Sequence, residues 1–341
     1  MTTGTATQVR SLSDLATLRM PGGRPERGMA LIVVIWILAF FGIVFSAFAF
    51  SMRTELDAAR SFKEEAEAKA LAEAGMARAK AELVNASGRG GPLTAMTSFD
   101  SREVALGRGT YRVLVTDEES KISLTPASQQ VLGRLLENTG IKDAGLVETI
   151  VDSILDWMDD DKLHRLHGAE EDYYRSLSRP YAPRNAKFEG LEELLLVRGM
   201  TREILYGNVA NPERRAALLA ERPEARDFQP GEYLGIRPFL TVTGSGRVNV
   251  NSAGLDVLVA LGMPTAEAAA LIEARKEDGS RGASPASTRG MPVTTTSSFY
   301  TIESIGSLSG SPVTYRIVAL VQRGAPGAGS RPRVLAWREG F

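Results

Sequence analysis

From Met29 to Met52 the chain runs without a charged side chain, and from Arg53 to Val84 charges return in a helical rhythm. At 1.5 Å per residue the uncharged run makes about 36 Å of helix, enough to cross a hydrocarbon core of about 30 Å. A secretory h-region, about 7–15 residues, is shorter than this uncharged run from Met29 to Met52. Arg24 and Arg27 precede the run, whereas Arg53, Glu55 and Asp57 follow it. That asymmetry predicts a cytoplasmic N-terminus and places the bulk of the chain outside. Beyond the run, Leu56, Ala59, Phe62, Ala66, Ala70, Ala74, Ala77, Ala81 and Val84 recur at steps of three or four. The pattern predicts one helix from Met29 to Val84, about 84 Å long, whose second half packs through that small-residue stripe.

Past a glycine-rich linker at Asn85–Leu93 the period changes from helical to two. "REVALGRGTYRVLVTDEESKISL" alternates apolar and polar positions around a Gly107-Arg108-Gly109 turn, and a further short strand follows at Lys121–Leu124. The alternation returns near the C-terminus in "SFYTIESIGSLSG", "VTYRIVALVQR" and "RVLAWRE". Some 170 residues of mainly helical character separate the two strand groups, so the pattern predicts an α+β chain. In it a long N-terminal helix lies on an antiparallel sheet, with a large helical region inserted between the strands. The segments are 1–28, a leader; 29–52, the membrane span; 53–84, the rest of the helix; and 85–125, the first β-region. There follow 126–235, the helical insertion; 236–295, a strand, a hairpin of helices and a loop; and 296–341, the last strands. Glu277–Ser298 and Gly324–Pro332 are Gly/Ser/Pro-rich and predict loops.

Composition narrows the chemistry. Across 341 residues, 43% hydrophobic and 24% charged content is ordinary for a folded chain, and a net charge of −1 suggests no polyanionic partner. The chain has no cysteine, which excludes disulfides and thiolate chemistry. Its two histidines, His164 and His167, offer little for acid–base catalysis. No P-loop, dinucleotide fingerprint or Gly-x-Ser-x-Gly elbow occurs.

One dense constellation stands inside the insertion: "DSILDWMDDDKLHRLHGAEEDYYRS", with Asp152, Asp156, Asp159, Asp160 and Asp161 followed by Glu170, Glu171 and Asp172. So many carboxylates repel one another unless water or a cation neutralises them. Hard oxygen donors favour Ca²⁺. Asp159, Asp161 and Glu170 fall at the first, third and twelfth positions of an EF-hand-like span, but His164 sits where that loop wants glycine, so an EF-hand is excluded. A solvated acidic loop remains the alternative. A zinc pair at His164-x-x-His167 is disfavoured by its hard neighbours, and a glycosidase carboxylate pair by the lack of a sugar-sized cleft.

"RVNVNSAGLDVLVALGMPTAEAAALIEARKEDG" resembles a helix-hairpin-helix, the module that grips DNA phosphates with backbone N–H groups. In its hairpin, Gly262-Met263-Pro264, the proline removes a donor. Positive charge flanking the hairpin is limited to Arg275 and Lys276, among Glu267, Glu273, Glu277 and Asp278. A packed structural hairpin is the better reading, and the same holds for "LEELLLVRGMTREIL".

A basic leader, Gly28-Met29, an apolar run and an Ala-rich helix ending near "LAEAG" together resemble the type IV pilin-like proteins. The resemblance implies cleavage by prepilin peptidase after Gly28 and N-methylation of Met29. It also makes "MPGGRPERG" from Met20 a leader of family length, with residues 1–19 disordered or a product of start-site choice. Val33 stands where most pilins carry glutamate. Together with the "DWxDxD … GAExxYY" segment, this is similar to the K-type minor pseudopilins of type II secretion systems (general secretion pathway protein K). That resemblance implies a calcium site, with Asp156, Asp159, Asp161, Glu170 and more weakly Asp172 as ligands. It further implies a non-enzymatic subunit capping a periplasmic pseudopilus, anchored once in the inner membrane. The implied partners are the I-type and J-type minor pseudopilins, prepilin peptidase and the inner-membrane secretion platform, without nucleic acid. The alternative is a membrane-anchored helix-hairpin-helix DNA-binding protein of a competence or pilus-like system.

Overall fold

The computed structural model describes residues 27–88, 103–125, 128–277, 292–324 and 331–340. The leader up to residue 26, the linker beyond Gly88, residues 278–291 of the predicted loop and residues 325–330 lie outside the described residues. The chain divides into two compact units, Met1–Phe62 and Lys63–Phe341. A helix, α1 (Arg27–Gly88), contributes to both. In the first unit every residue from Met29 to Phe62 is exposed, and the apolar window has a mean hydropathy of 2.8. By length and composition this helix can cross a membrane.

In the second unit, α1 lies on a five-stranded antiparallel sheet of order β1-β2-β7-β8-β9. The strands are β1 (Val104–Leu106), β2 (Gly109–Asp117), β7 (Phe299–Leu308), β8 (Thr314–Gln322) and β9 (Arg333–Gly340). Alternation places Tyr111, Val113 and Val115 of β2, with Tyr300, Ile302, Ile317, Ala319 and Val321, in the core under the helix. The β2–β7 register runs from Gly109↔Leu308 to Asp117↔Tyr300, so two segments far apart in sequence form the centre of the sheet.

The buried stripe of α1 is Ala68, Leu71, Ala72, Met76, Ala79 and Leu83. This corrects the stripe expected from the sequence, since Ala66, Ala70, Ala77, Ala81 and Val84 are exposed. In an alanine-rich helix small residues mark several faces alike, and the larger Leu71, Met76 and Leu83 decide which one the core accepts. Two glycines set the closeness of the contact. A Cβ on Gly75 would meet Ser304 and lie 2.9 Å from the Tyr111 ring, and one on Gly306 would collide with the backbone of Ala68 and Ala72.

Between β2 and β7 sits the predicted insertion. It comprises α2 (Gln129–Asn138), α3 (Ala144–Met158), α4 (Glu171–Ser176), α5 (Arg202–Tyr206), α6 (Pro212–Ala220), α7 (Leu255–Ala260) and α8 (Thr265–Glu277). Two short parallel pairs accompany them: β3 (Ile122–Ser123) with β4 (Leu240–Thr241), and β5 (Val248–Asn249) with β6 (Val293–Thr294). The 3₁₀ turn Leu191–Leu196 and α5 form the second hairpin-like stretch, so its first arm is tighter than an α-helix.

The insertion joins the sheet through a buried polar knot at the end of β2. Asp117 accepts from the Ser252 and Ser297 hydroxyls at 2.5 and 2.6 Å and from Asn249 Nδ2 at 3.2 Å, while its other oxygen accepts from the Glu119 N–H. Glu118 accepts from Thr241 and Thr301, and Glu119 from the N–H groups of Ser245 and Ser298. Three consecutive carboxylates thus tie β2 to segments more than a hundred residues away. Burial raises the Asp117 pKa, against the lowering effect of its hydroxyl donors.

Candidate functional site

Helix α3 begins on Asp143, whose side chain caps the N–H groups of Gly145 and Leu146, and drives Val147, Ile150, Val151, Ile154 and Trp157 into the main core. Those positions leave Asp152 and Asp156, one turn apart, on a second buried face. Each grips the backbone of the segment that follows. Asp152 accepts from the His167 N–H at 3.1 Å and from Gln129 at 3.1 Å. Asp156 is fully buried and accepts from the Arg165 N–H at 3.1 Å and from Arg165 Nη1 at 2.5 Å. Gly168 makes this approach possible, because a Cβ there would collide with the Asp156 carboxylate. Arg198 fixes the same segment by donating to the Gly168 carbonyl at 2.9 Å.

Past the end of α3 the loop gathers Asp159, Asp161 and Glu170, each with an oxygen within 4.8 Å of the others. Asp159 also receives Arg165 Nη1 at 2.6 Å through one oxygen, while its other oxygen is buried without a partner. Glu170 is 3% exposed, and both of its carboxylate oxygens lack a hydrogen-bond partner. Burial, then the charges of Asp156, Asp159 and Asp161, push the Glu170 pKa up to about 7.

An aromatic wall stands behind the loop. Trp157 meets Tyr174 edge-on at 5.2 Å, stacks with Phe188 at 6.4 Å and donates its indole N–H to Glu193 at 3.0 Å. Beside Asp161 lies Asn185, the one non-glycine residue with positive φ (+49°) among the described residues. Its Nδ2 donates to the Asp161 carbonyl at 3.3 Å, and its Oδ1 is buried without a partner.

Of the five ligand positions expected from the sequence, the structure brings together Asp159, Asp161 and Glu170. Asp156 lies against the group but spends its oxygens on Arg165. Asp172 is exposed and accepts from the neighbouring Tyr173 N–H at 2.8 Å, outside the cluster. His164 bonds the Arg165 carbonyl and His167 faces Glu148 and Asp152, so the two histidines do not converge. Sequence spacing gave no notice of Arg165 or Asn185, which act from the loop's middle and from a separate segment. The donor set is all oxygen, and a buried glutamate with two unpartnered oxygens beside two further carboxylates fits a hard divalent cation such as Ca²⁺.

The helix-hairpin-helix stretch is built into the core. Val257, Leu258, Ala260, Leu261, Met263, Ala268 and Leu271 of α7, its turn and α8 are buried, and Gly262 takes the turn at φ +101°. Asp256 is paired within the fold by Arg226, and Arg275 Nη1 donates inward to the Ala253 carbonyl at 2.8 Å.

Residues 112–207 match the family model for type II secretion system (T2SS) protein K. The chain is 34% identical over 88 residues to type II secretion system protein K of Pectobacterium carotovorum subsp. carotovorum, covering 26% of each chain. It is 26% identical over 192 residues to the Klebsiella pneumoniae protein K, covering 51% of this chain and 58% of that one. A putative protein K of Escherichia coli (strain K12) is 27% identical over 195 residues, covering 52% and 59%. The matches thus span less than two thirds of each relative's length. A solved structure, of the GspK-GspI-GspJ complex from the enterotoxigenic Escherichia coli Type 2 Secretion System, shares the fold with a TM-score of 0.55 at 18% identity, over 85% of this chain and 99% of that one. The resemblance to the K-type family is borne out by these matches, and with it the α+β fold class.

Proposed function

We propose that this chain is the K-type minor pseudopilin of a type II protein secretion system, a structural subunit rather than an enzyme. The observation that carries the reading is the place of the family match. It starts in β2, crosses the buried knot at Asp117 and runs through α3, the acidic loop and α5. It therefore covers the first part of the insertion, up to α5, which distinguishes this chain from a bare helix on a sheet. In this reading the apolar part of α1 anchors the precursor in the inner membrane, N-terminus inside and sheet with insertion in the periplasm. Prepilin peptidase cuts after Gly28 and methylates Met29. Val33 provides no carboxylate for a preceding subunit's amine, which suits the tip of a pseudopilus. The structural neighbour was solved with GspI and GspJ, which supports the I-type and J-type minor pseudopilins as partners here.

The acidic loop is proposed as a calcium site, with Asp159, Asp161 and Glu170 as its carboxylates. Bound calcium would supply charge neutralisation and tie the loop, while Asp156, Arg165 and Gly168 hold its shape. The DNA-binding alternative gains nothing from a hairpin whose side chains are spent inside the core.

The test is co-purification of the full chain in detergent with the I-type and J-type minor pseudopilins of the same bacterium. A stable ternary complex is expected, along with loss of secretion when the chain is deleted. A chain that elutes alone in the presence of both, and salt-sensitive duplex DNA binding instead, would overturn the reading.

A further inference from the structure

We propose that Asn185 supplies the fourth side-chain ligand of the cation site, and that Asp156 does not touch the ion but holds the loop through Arg165. This inference rests on the calcium reading of the acidic loop.

Asn185 Oδ1 is buried and accepts no hydrogen bond, a costly state for an amide oxygen. Its orientation is set by the other end of the same amide, since Nδ2 donates to the Asp161 carbonyl at 3.3 Å. Turning the amide over would set oxygen against oxygen. The amide is thus fixed beside a residue whose carboxylate belongs to the cluster, with its oxygen unspent.

The backbone at this position is also unusual. A φ of +49° lies in the left-handed region, where asparagine and glycine are the tolerated residues. The flanks hold it there. Arg184 pairs with Glu189 and reaches Glu193 at 3.6 Å, Phe188 stacks on Trp157, and the Tyr181 hydroxyl donates to the Leu196 carbonyl at 2.7 Å. The loop bearing Asn185 is pinned on both sides of the residue.

Three unpartnered carboxylate oxygens complete the case: Asp159 Oδ1 and both oxygens of Glu170. A fourth carboxylate among them would add repulsion, whereas an amide oxygen adds a donor without charge. Calcium accepts such carbonyl ligands beside carboxylates. Asp156 has no oxygen to offer, because the Arg165 N–H and Nη1 occupy its carboxylate at 0% exposure.

The experiment uses the full chain in detergent, stripped with chelator. Ca²⁺ is titrated by calorimetry and Tb³⁺ by luminescence sensitised through the aromatic wall, with circular dichroism as the check on folding. Asn185→Gly removes the amide while suiting the backbone, and is expected to weaken Ca²⁺ binding about tenfold or more. Asn185→Asp keeps an oxygen in place and adds charge, and is expected to bind at least as tightly as the wild type. Wild-type binding with an unchanged Asn185→Gly constant overturns the assignment of Asn185 alone. So does an Asp variant as weak as the Gly variant, because the amide would then act only through its bond to Asp161. A wild-type chain that takes up neither ion overturns the calcium reading and this inference with it.

Discussion

Glu170 sits where its charge has no local support, and that makes the chain's stability pH-dependent in a defined direction. Its pKa is raised from 4.5 to about 7 by burial and by Asp156, Asp159 and Asp161. The folded state therefore holds its proton more tightly than the unfolded chain. The associated stability is fully present below the unfolded value and is lost as pH rises through about 7. In chelator, the thermal midpoint should fall between about pH 5 and about pH 8 in the wild type. Glu170→Gln should flatten that fall, and calcium should abolish it at the upper end by replacing the proton. Melts that run parallel for wild type and Gln variant in chelator would contradict the account. At this scale, Asp159, Asp161 and Glu170 were legible as a run of hard donors at loop spacing. Arg165 was not, because a basic residue amid acids reads as solvent-facing until the burial of Asp156 is known. Asn185 was not, because a neutral amide in a distant segment carries no pattern.

Among the elements, α1 and the sheet show how an alternation can be read while a stripe is misread. Strand burial follows the period of two faithfully: β7 alternates half-buried and buried along its full length. On α1 the alanines left several faces equivalent, the larger Leu71, Met76 and Leu83 set the choice, and the close approach depends on Gly75 and Gly306, whose role exists only in the packed pair. Ala72→Leu, at a fully buried position, should destabilise by about 1–3 kcal/mol through overpacking. Ala77→Leu, on the exposed face, should stay within about 0.5 kcal/mol of the wild type. Denaturant midpoints measure both, and equal losses would mean that the buried face is misassigned. The knot at β2 gives a separate prediction. Asp117→Ala takes the acceptor from the Ser252 and Ser297 hydroxyls and from the Glu119 N–H, and should cost about 3 kcal/mol. Asp117→Asn, which keeps an acceptor, should cost less.

For the whole molecule, the architecture was legible because its parts differ in period: an apolar run, a helical rhythm, a period of two, and helices before that period returns. That the two strand groups share one sheet followed from their common alternation, whereas the pairing of β2 with β7 came only from the structure, and β5 with β6 escaped notice because strands of two residues carry no period. Two changes near the N-terminus test the assembly role. Gly28→Ala should leave the precursor uncleaved, seen as an unshortened band and an unmethylated N-terminus, because the peptidase site is read as accepting only the smallest residue before the cut. Val33→Glu tests capping. Val33 lies in the apolar part of α1 and is 52% exposed. A carboxylate in hydrocarbon costs about 2.5–3.5 kcal/mol unless it is paired. In a subunit stacked beneath another, that cost is offset by a neighbour's N-terminal amine. In a subunit at the tip the glutamate finds no such amine, so it adds the cost alone. Secretion by Val33→Glu should therefore match the wild type or fall below it, measured as exported substrate in a strain lacking the native chain. A marked rise in secretion would mean that a partner amine is waiting, and the chain would belong in the body of the filament instead of at its end.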